Sequence, residues 1–516
     1  MILHKLKLAG IVAFATSSLF FTGLPEGYAQ HSEKKTVTDK ATLTKLITAV
    51  EKTPDSLSAH KAYIEAVGAD KPATAAQYEK WMKQFPASAT VPFALGNALA
   101  DAESPKAKPY LLKAVELDPK LAEAWGDLWF DADRWGDFEA GRKYLQKAAE
   151  ADPSNAAFAF YYAMSFEDTD EEKYKEMSLE VAKRFPENER GAQSLYWLAA
   201  KSKDIPYKMK IYELLKNSYP VAKYRWSSSG MYGYYDLLIH SNTAQAAALA
   251  KEMSKEKTED GEDSPWPAKV KLAEQVAEVN GLLEQKKGAA ALSILSAIKL
   301  PWYDGFVEDV TLLKADAIAM SVTPAAAYDS LIAAFVRRAG LKIKAGISGY
   351  GSRLGKNEVQ INADIYQRLL AASKQATPFT LKPYLTTGKT SLSDYKGKVV
   401  LLTYWFPGCG PCRAEFPHFE SVIRKFKGKP VSYVGINIAP EQNEYVASFM
   451  KKSGYSFTPL EDVPGRVKGN LDNRDGAPAN FLIDQEGRIL FADFRIDSDN
   501  EPLLEMMINL LLDHKA

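Results

Sequence analysis

Residues 398–427 read KVVLLTYWFPGCGPCRAEFPHFESVIRKFK, and this stretch decides the fold of the C-terminal part of the chain. Its first eight residues form an apolar run of the kind that a strand buried on both faces shows. Residues 406–411 predict a loop, and the helical spacing of apolar residues over 412–427 predicts a helix. Cys409 and Cys412 are therefore expected where a buried strand turns into a helix.

The segments on either side carry their own signals. In chain order they predict a hairpin over residues 379–392, a buried strand over 431–438, a helix over 441–453, a hairpin from 480–484 to 488–495 and a closing helix over 501–514. Strand, helix, strand, helix, hairpin and helix is the order of an α/β layered fold of the thioredoxin type.

Cys409 and Cys412 are the only two cysteines of the chain, and Gly410 and Pro411 separate them. At a helix N-terminus the free backbone N–H groups and the helix dipole stabilise a thiolate, so Cys409 is the candidate nucleophile. Cys412 lies one turn further on and is close enough to form a disulfide with it. The pair is expected to cycle: Cys409 attacks a substrate disulfide, and Cys412 resolves the mixed disulfide.

The pair has three alternative interpretations. A zinc site needs four ligands, and only His418 lies nearby in the sequence. A structural disulfide would stabilise little across so short a loop, because the entropy gain grows with loop length. A redox-inactive scaffold is the third alternative. We expect a redox pair, with no metal and no cofactor.

Three stretches resemble the TlpA/ResA-like branch of the thioredoxin family: residues 391–400 (SLSDYKGKVV), 409–417 (CGPCRAEFP) and 476–484 (GAPANFLID). The resemblance covers residues 376–516. It implies a thiol–disulfide oxidoreductase that acts on protein disulfides or dithiols and takes electrons from an upstream donor, which could lie in a membrane.

The resemblance also implies roles for single residues. Pro478 matches a proline that is cis in this family and presents the backbone of Ala477 to a bound substrate cysteine. Glu415 matches the active-site carboxylate of this branch. A partly buried acid there should have a raised pKa and exchange a proton as Cys412 becomes nucleophilic. An exposed helix glutamate is the alternative, and Thr403 stands where thioredoxins proper have an acid.

The expected substrate groove consists of Trp405, Gly408, Gly410, Pro411 and Ala477. Trp405 matches a family tryptophan and is expected to pack beneath the loop. Gly408 departs from the family, which usually has an aromatic residue before the first cysteine, and this puts the apolar lip of the groove in doubt. The dipeptide Gly410-Pro411 is that of reducing thioredoxins, which favours reduction of protein disulfides. The rival functions are a disulfide oxidase or isomerase, a thiol peroxidase, and a repeat-based adaptor in which the redox domain is regulatory.

Six prolines recur in the first half of the chain at separations of 32, 33, 34, 33 and 34 residues: Pro54, Pro86, Pro119, Pro153, Pro186 and Pro220. This period with a closing proline is typical of tetratricopeptide repeats, which are stacked helix–turn–helix units. Residues 122–153 fit best, with Trp125 and Leu128 on the first helix and Gly136 at the turn. A generic helical bundle is the alternative.

The concave face of such a solenoid could bind protein or peptide. Eight aromatic residues are candidates to line it, although they could equally belong to the core: Tyr161, Tyr162, Trp197, Tyr224, Trp226, Tyr232, Tyr234 and Tyr235. Residues 244–373 keep a helical pattern but lose the period. Within them residues 349–357 (GYGSRLGKN) lack the spacing of a phosphate-binding loop and predict a flexible connector.

The length of 516 residues is too great for one hydrophobic core. We predict an all-α helical repeat followed by an α/β thioredoxin-like domain. The predicted segments are a signal peptide (1–29), tetratricopeptide-like repeats (30–243), a helical extension and connector (244–375) and the thioredoxin-like domain (376–516). The last of these is expected to fold on its own.

Lys and Arg together number 65, as do Asp and Glu, and this balance argues against nucleic acid as a partner. The first 29 residues have Lys5 and Lys7, then an apolar stretch, then small residues ending at Ala29, which is the order of a cleavable signal peptide. A permanent N-terminal anchor is the alternative. We expect a periplasmic or otherwise extracytoplasmic protein without stable membrane insertion.

Overall fold

The computed structural model describes residues 39–256, 264–301, 304–473 and 476–514. The predicted signal segment, 1–29, lies outside these residues. Within the described residues, helices occupy the chain as far as Ala372: α1 Lys40–Lys52, α2 Leu57–Val67, α3 Pro72–Gln84, α4 Thr90–Asp101, α5 Ala107–Leu117, α6 Ala122–Arg134, α7 Phe138–Ala151, α8 Ala156–Met164, α9 Glu171–Arg184, α10 Glu189–Lys201, α11 Ile205–Ser218, α12 Arg225–Ser241, α13 Thr243–Met253, α14 Trp266–Glu284, α15 Gly288–Ala297, α16 Val307–Ser321, α17 Pro324–Arg337, α18 Leu341–Arg353 and α19 Glu358–Ala372. None of the helices in the described ranges has the length and apolarity that crossing a bilayer requires.

The unit predicted over residues 122–153 illustrates why these residues form helix pairs. Helix α6 ends at Arg134, and Gly136 follows with φ +73°, a conformation that favours glycine because it has no Cβ. Asp137 then caps α7 by accepting a hydrogen bond from the Ala140 N–H at 3.2 Å. The predicted helix, turn and helix are confirmed, whereas their membership of the tetratricopeptide family stays a prediction.

Hydrogen bonds between successive helix pairs join residues about one repeat apart. Ser88 Oγ donates to Asp55 at 2.6 Å across 33 residues, and Tyr219 Oη donates to the Phe185 carbonyl at 3.2 Å across 34. The same spacing returns where Tyr350 Oη donates to Asp316 at 2.6 Å across 34 residues. A spacing of 34 residues therefore also joins two hydrogen-bonded residues after residue 244, where the sequence pattern shows no period.

The prediction of a flexible connector over residues 349–357 is wrong. Most of this stretch is the last turn of α18, and the Tyr350 side chain is buried in the core. Gly355, with φ +75°, closes that helix, and Asn357 begins α19 with a capping box. Apolar contacts around Tyr350 outweigh the low helix propensity of its two glycine neighbours.

The aromatic residues proposed to line a concave face divide into two groups. Tyr224, Tyr234 and Tyr235 are buried in the core of α9–α16, so for these three the core alternative is correct. The other five are half-buried, namely Tyr161, Tyr162, Trp197, Trp226 and Tyr232. Binding at these residues stays a prediction.

After α19 the described residues form one eight-stranded sheet and three α-helices. The strands are β1 Lys374–Gln375, β2 Thr380–Pro383, β3 Thr390–Ser391, β4 Val399–Trp405, β5 Val431–Asn437, β6 Thr458–Glu461, β7 Ala479–Ile483 and β8 Arg488–Ala492, and the helices are α20 Gly410–Lys425, α21 Asn443–Ser453 and α22 Glu501–Asp513. The strand order is β1-β8-β7-β4-β5-β6-β2-β3, with β4, β5 and β6 parallel. The predicted strands and helices are confirmed except that β1 and β6 are absent from the prediction.

Strand β4 is buried along its whole length, as its apolar sequence predicts. Leu401 and Trp405 belong to the cluster that includes the inner faces of α20 and α22. Leu402 and Tyr404 point the other way, into a smaller cluster that Leu381 and other residues of the preceding hairpin cover. Because both faces are packed, β4 is the centre of the α/β domain.

The larger of these clusters continues into the helical extension. Phe335 of α17 is fully buried and meets Phe491 of β8 edge to face, with 6.3 Å between ring centroids. Tyr366 of α19 stacks on His514 at 4.9 Å. The expectation that residues 376–516 fold alone does not account for this shared core. The domain limits at residues 243 and 375 stay predictions.

A second contact lies between the turns of the repeats and helix α21. Trp135 meets Tyr445 at 4.8 Å between ring centroids, and Lys452 pairs with Asp137 at 2.8 Å. A Cβ on Gly136 would lie 2.9 Å from the carbonyl oxygen of Phe449, so this turn needs glycine for close approach as well as for its backbone conformation. The helical part thus packs on the α/β domain at two places, through its last helices and through the turn between α6 and α7.

We expect Phe335→Ala to lower the free energy of opening of β8 by about 3–5 kcal/mol, because it leaves a cavity in the shared core. Native-state hydrogen exchange of the β8 amides measures this change. Phe93→Ala is the matched control, since Phe93 is buried in the separate N-terminal cluster. Unchanged β8 exchange in Phe335→Ala would show that the α/β domain does not depend on the helices.

Candidate active site

The two cysteines lie where the sequence predicts, at the N-terminus of α20. Cys409 is the N-cap residue, and its Sγ accepts a hydrogen bond from the Cys412 N–H at 3.2 Å. The two sulfurs are joined in a disulfide, and their Cα atoms are 5.3 Å apart. Cys409 is 2 % exposed and Cys412 is fully buried. A thiolate formed at Cys409 would face the free N–H groups and the positive end of the helix dipole.

The loop before β7 lies at the same edge of the sheet. Tyr404 of β4 pairs with Ala479 of β7, so Pro478 lies level with Trp405, at the point from which the chain runs on to Cys409. The Ala477–Pro478 peptide bond is cis, as the resemblance implies. Ala477 is half-buried and packs on the cluster that contains both cysteines. The cis-proline loop at Ala477–Pro478 therefore lies beside the Cys409–Cys412 disulfide.

Glu415 is a buried carboxyl, not an exposed helix residue. It lies on α20 one turn after Cys412, and Asn480 Nδ2 and the Ile496 N–H donate to its two oxygens at 3.0 and 3.3 Å. Burial raises its pKa to about 7, although the Arg495 guanidinium 3.7 Å away and these hydrogen bonds favour the charged form. At neutral pH this carboxyl can therefore both take up and release a proton.

The expected packing of Trp405 beneath the loop is observed, and its burial corrects the assignment of this residue to the lining of the substrate groove. Its side chain is fully buried beneath the loop and contacts Phe416, Phe449 and Phe457, with ring centroids 5.6, 5.2 and 4.8 Å away. The alternation of side chains along β4 sends it into the same cluster as Leu401. Its position supports the loop from below.

The remaining groove residues are half-buried: Gly408, Gly410, Pro411 and Ala477. Gly408 donates its backbone N–H to Gln442 Oε1 at 2.6 Å, and a Cβ on Gly408 would lie 3.1 Å from the Gln442 side-chain amide. Gln442 thus lies against the position that is usually aromatic in relatives. A larger residue at this position would therefore require the Gln442 side chain to shift.

Sequence reasoning missed the residues that surround Glu415 and Gly408. Asn480 is one polar residue in an otherwise apolar buried strand, and this is the signal that could have found it, because buried amides need partners. Arg495 lies beyond the end of β8, and Gln442 lies in a short 3₁₀ turn, Pro440–Gln442, before α21. Nothing in the local sequence of these two residues points to the dithiol.

Comparison with known proteins agrees with this geometry. Residues 372–492 match the AhpC/TSA family. Over 108 residues the chain is 38% identical to the thiol-disulfide oxidoreductase ResA of Bacillus subtilis (strain 168), an alignment that covers 20% of this chain and 58% of ResA. It is also 31% identical over 140 residues to the thioredoxin-like protein YneN of the same organism, covering 27% of this chain and 78% of YneN.

Among solved structures, a thiol:disulfide interchange protein from Bacteroides sp. aligns with 27% identity and a TM-score of 0.24, over 27% of this chain and 90% of that protein. The chain thus spans a little over half the length of the ResA protein and more than three quarters of YneN. Each of these alignments covers only about a quarter of the chain or less. Through this part the chain belongs to the thioredoxin-like proteins, and the thiol-disulfide oxidoreductase ResA is among its relatives.

Proposed function

We propose that this protein is an exported thiol–disulfide oxidoreductase that reduces protein disulfides through Cys409 and Cys412. The observation that carries the proposal is the joined pair at the N-terminus of α20 with a buried carboxyl, Glu415, one turn behind it. A structural disulfide would have no use for an acid of raised pKa at this place.

The reaction follows from thiol–disulfide exchange. The Cys409 thiolate attacks one sulfur of the substrate disulfide, a mixed disulfide forms, and the other substrate sulfur leaves as a thiolate. The Cys412 thiolate then attacks the Cys409 sulfur, restores the Cys409–Cys412 disulfide and releases the second substrate thiolate. The substrate gains two electrons, and the dithiol loses them. An upstream dithiol donor must reduce the pair again before the next cycle.

Glu415 supplies what the second step needs. Cys412 is fully buried, and a thiol in apolar surroundings ionises poorly. Residues three apart on a helix share a face, and this supports Glu415 as the acceptor of the Cys412 proton. A carboxyl with a pKa of about 7 accepts this proton near neutral pH and returns it when the pair is reduced again.

On the substrate side, we assign Gly408, Gly410, Pro411 and Ala477 to the groove. The half-buried backbone at Ala477, beside the cis-proline loop, supports binding of an extended substrate segment around its cysteine. Reduction is the proposed direction, because Gly410-Pro411 is the dipeptide of reducing thioredoxins. Export rests on the signal-like residues 1–29 of the sequence, and the helical repeats are assigned to protein binding.

We expect Cys412→Ser to accumulate mixed disulfides with substrate proteins, because the resolving thiol is lost, and Cys409→Ser to form none. Non-reducing electrophoresis after reaction with a disulfide-containing test protein measures both.

The reduction potential of the parent protein, measured against glutathione, should lie below roughly −200 mV. A potential well above that value would reverse the proposed direction.

We expect Glu415→Gln to slow turnover of a protein disulfide by about 10²-fold, because the buried Cys412 loses its proton acceptor. The variant should also lose the change in turnover rate near pH 7 that the titration of Glu415 causes in the parent. Glu420→Gln is the matched control: Glu420 is also buried on α20, but its carboxylate accepts from Ser456 and Arg424. Equal pH–rate profiles for Glu415→Gln and the parent would exclude proton transfer by Glu415.

The titration of Glu415 also predicts how stability depends on pH. Because its pKa rises from 4.5 in the unfolded chain to about 7 in the fold, its contribution is fully present below pH 4.5 and is lost as pH rises through 7. Relative to Glu415→Gln, the parent should lose about 3 kcal/mol of unfolding free energy over this range. Urea unfolding of both oxidised proteins tests this. Burial also raises the pKa values of Asp127 and Asp131, to about 7 and about 6. Their contributions to the pH dependence of stability cancel when the parent is compared with Glu415→Gln, because both proteins contain them.

A constant difference between parent and variant from about pH 4.5 to about pH 8 would contradict the raised pKa. The measurement does not involve a substrate. It therefore tests the buried carboxyl separately from the redox reaction.

A further inference from the structure

A chain of hydrogen bonds runs from the helical repeats to the residue before Cys409. The Gly408 N–H donates to Gln442 Oε1 at 2.6 Å, and Gln442 Nε2 donates to Glu103 Oε2 at 2.5 Å. The Gln442 side chain is 1 % exposed, so water does not compete for these bonds. Glu103 follows helix α4, more than three hundred residues before the cysteine pair.

The backbone of Glu103 adopts a conformation that a glutamate rarely has. Its φ is +53°, in the left-handed region that favours glycine. The matching turn of the next repeat has Gly136 at φ +73°. The two turns close in the same way, with Ser104 N–H donating to the Leu99 carbonyl and Asp137 N–H to the Ala132 carbonyl, both at 2.8 Å. Glycine would suit this backbone better than glutamate, so the contacts of the Glu103 side chain decide whether it has a function.

Both ends of Glu103 are held. Its other carboxylate oxygen accepts from Arg134 at 3.3 Å, and its backbone carbonyl accepts from the Tyr445 hydroxyl at 2.9 Å. These contacts aim the carboxylate at Gln442. An anionic acceptor strengthens the hydrogen bond that the amide donates and polarises the amide oxygen that receives the Gly408 N–H.

The other side of the cysteine pair is also tied to the repeats. Arg413, the residue after Cys412, pairs with Asp133 at 2.8 Å, and both side chains are at least three quarters buried. The motif is therefore held by the helical part on both flanks, through Gly408 and through Arg413.

We propose that Glu103 and Gln442 are positioning residues that couple the docked helical repeats to the redox pair. Held by Gln442, the backbone at Gly408 seats Cys409 as the N-cap of α20, where the helix N-terminus stabilises its thiolate. We call the hydrogen-bonded chain Gly408–Gln442–Glu103 the relay. When the relay is broken, Cys409 is seated less firmly and its thiolate is less stable. The consequence for turnover rests on the proposed function, whereas the coupling itself does not.

The test compares two glycine substitutions in the full chain, each in a Cys412→Ser background. Glu103→Gly removes the relay and suits the left-handed backbone, so we expect an unchanged or higher melting temperature. Lys286→Gly is the matched control, because Lys286 has φ +58°, is exposed and lies in another repeat turn. The readout is the apparent pKa of Cys409, measured from the pH dependence of its alkylation.

We expect Glu103→Gly to raise this apparent pKa by about half a pH unit, the size of one interaction at a helix terminus, and Lys286→Gly to leave it unchanged. An unshifted pKa in Glu103→Gly, or an equal shift in both variants, would overturn the proposal. A shift that accompanies loss of helical structure would also overturn it, since the effect would then be one of folding.

A charge exchange tests the relay from the other side. Gln442→Glu places two carboxylates against each other and should raise the apparent pKa of Cys409 at least as much as Glu103→Gly. In the double variant Glu103→Gln/Gln442→Glu, donor and acceptor change places, and the parent value should return. A double variant as strongly shifted as Gln442→Glu would contradict the relay. Because alkylation needs no substrate, failure of the relay and failure of the proposed function are read from different measurements.

Discussion

Burial of strand β4 on both faces is the constraint on which the redox site depends. Because the strand is packed from Val399 to Trp405, its direction and register against β5 and β7 are set by two separate apolar clusters. The chain can leave this strand only at the edge of the sheet, where α20 begins. Cys409, the cis-proline loop and Glu415 therefore meet at one place, and the thiol chemistry follows from their meeting.

The helical part of the chain is more than an attachment to the α/β domain. Its last four helices share a hydrophobic core with α22 and β8, and its early turns contact α21 and the residues that flank the cysteine pair. A domain held at two places moves less freely than one on a flexible linker, because relative motion would have to break both contacts. The redox pair thus works within a surface to which the repeats contribute, and this is the physical basis of the relay through Glu103 and Gln442.

Much of the fold and part of the site could be predicted from local patterns. The apolar run of β4, the position of Cys409 at a helix start and the buried setting of Glu415 are confirmed. The failures have physical causes. Residues 349–357 have a glycine-rich composition, but packing of Tyr350 makes them helical. Strand β6 is only four residues long and was not predicted, although pairing with β5 and β2 holds it in the sheet. Trp405 was expected in the groove, but strand alternation directs its side chain inward.

The sequence by itself determined the α/β order of the C-terminal part, the pairing of its two cysteines and the spacing of the repeats, because each of these depends on residues close together in the chain. Only the tertiary structure decided that Asn480 and Arg495 face Glu415, that Gln442 holds Gly408, and that Glu103 reaches the redox domain. These contacts join residues 34 to more than 300 positions apart. Their geometry depends on how separately formed elements pack, and no local periodicity or propensity records it.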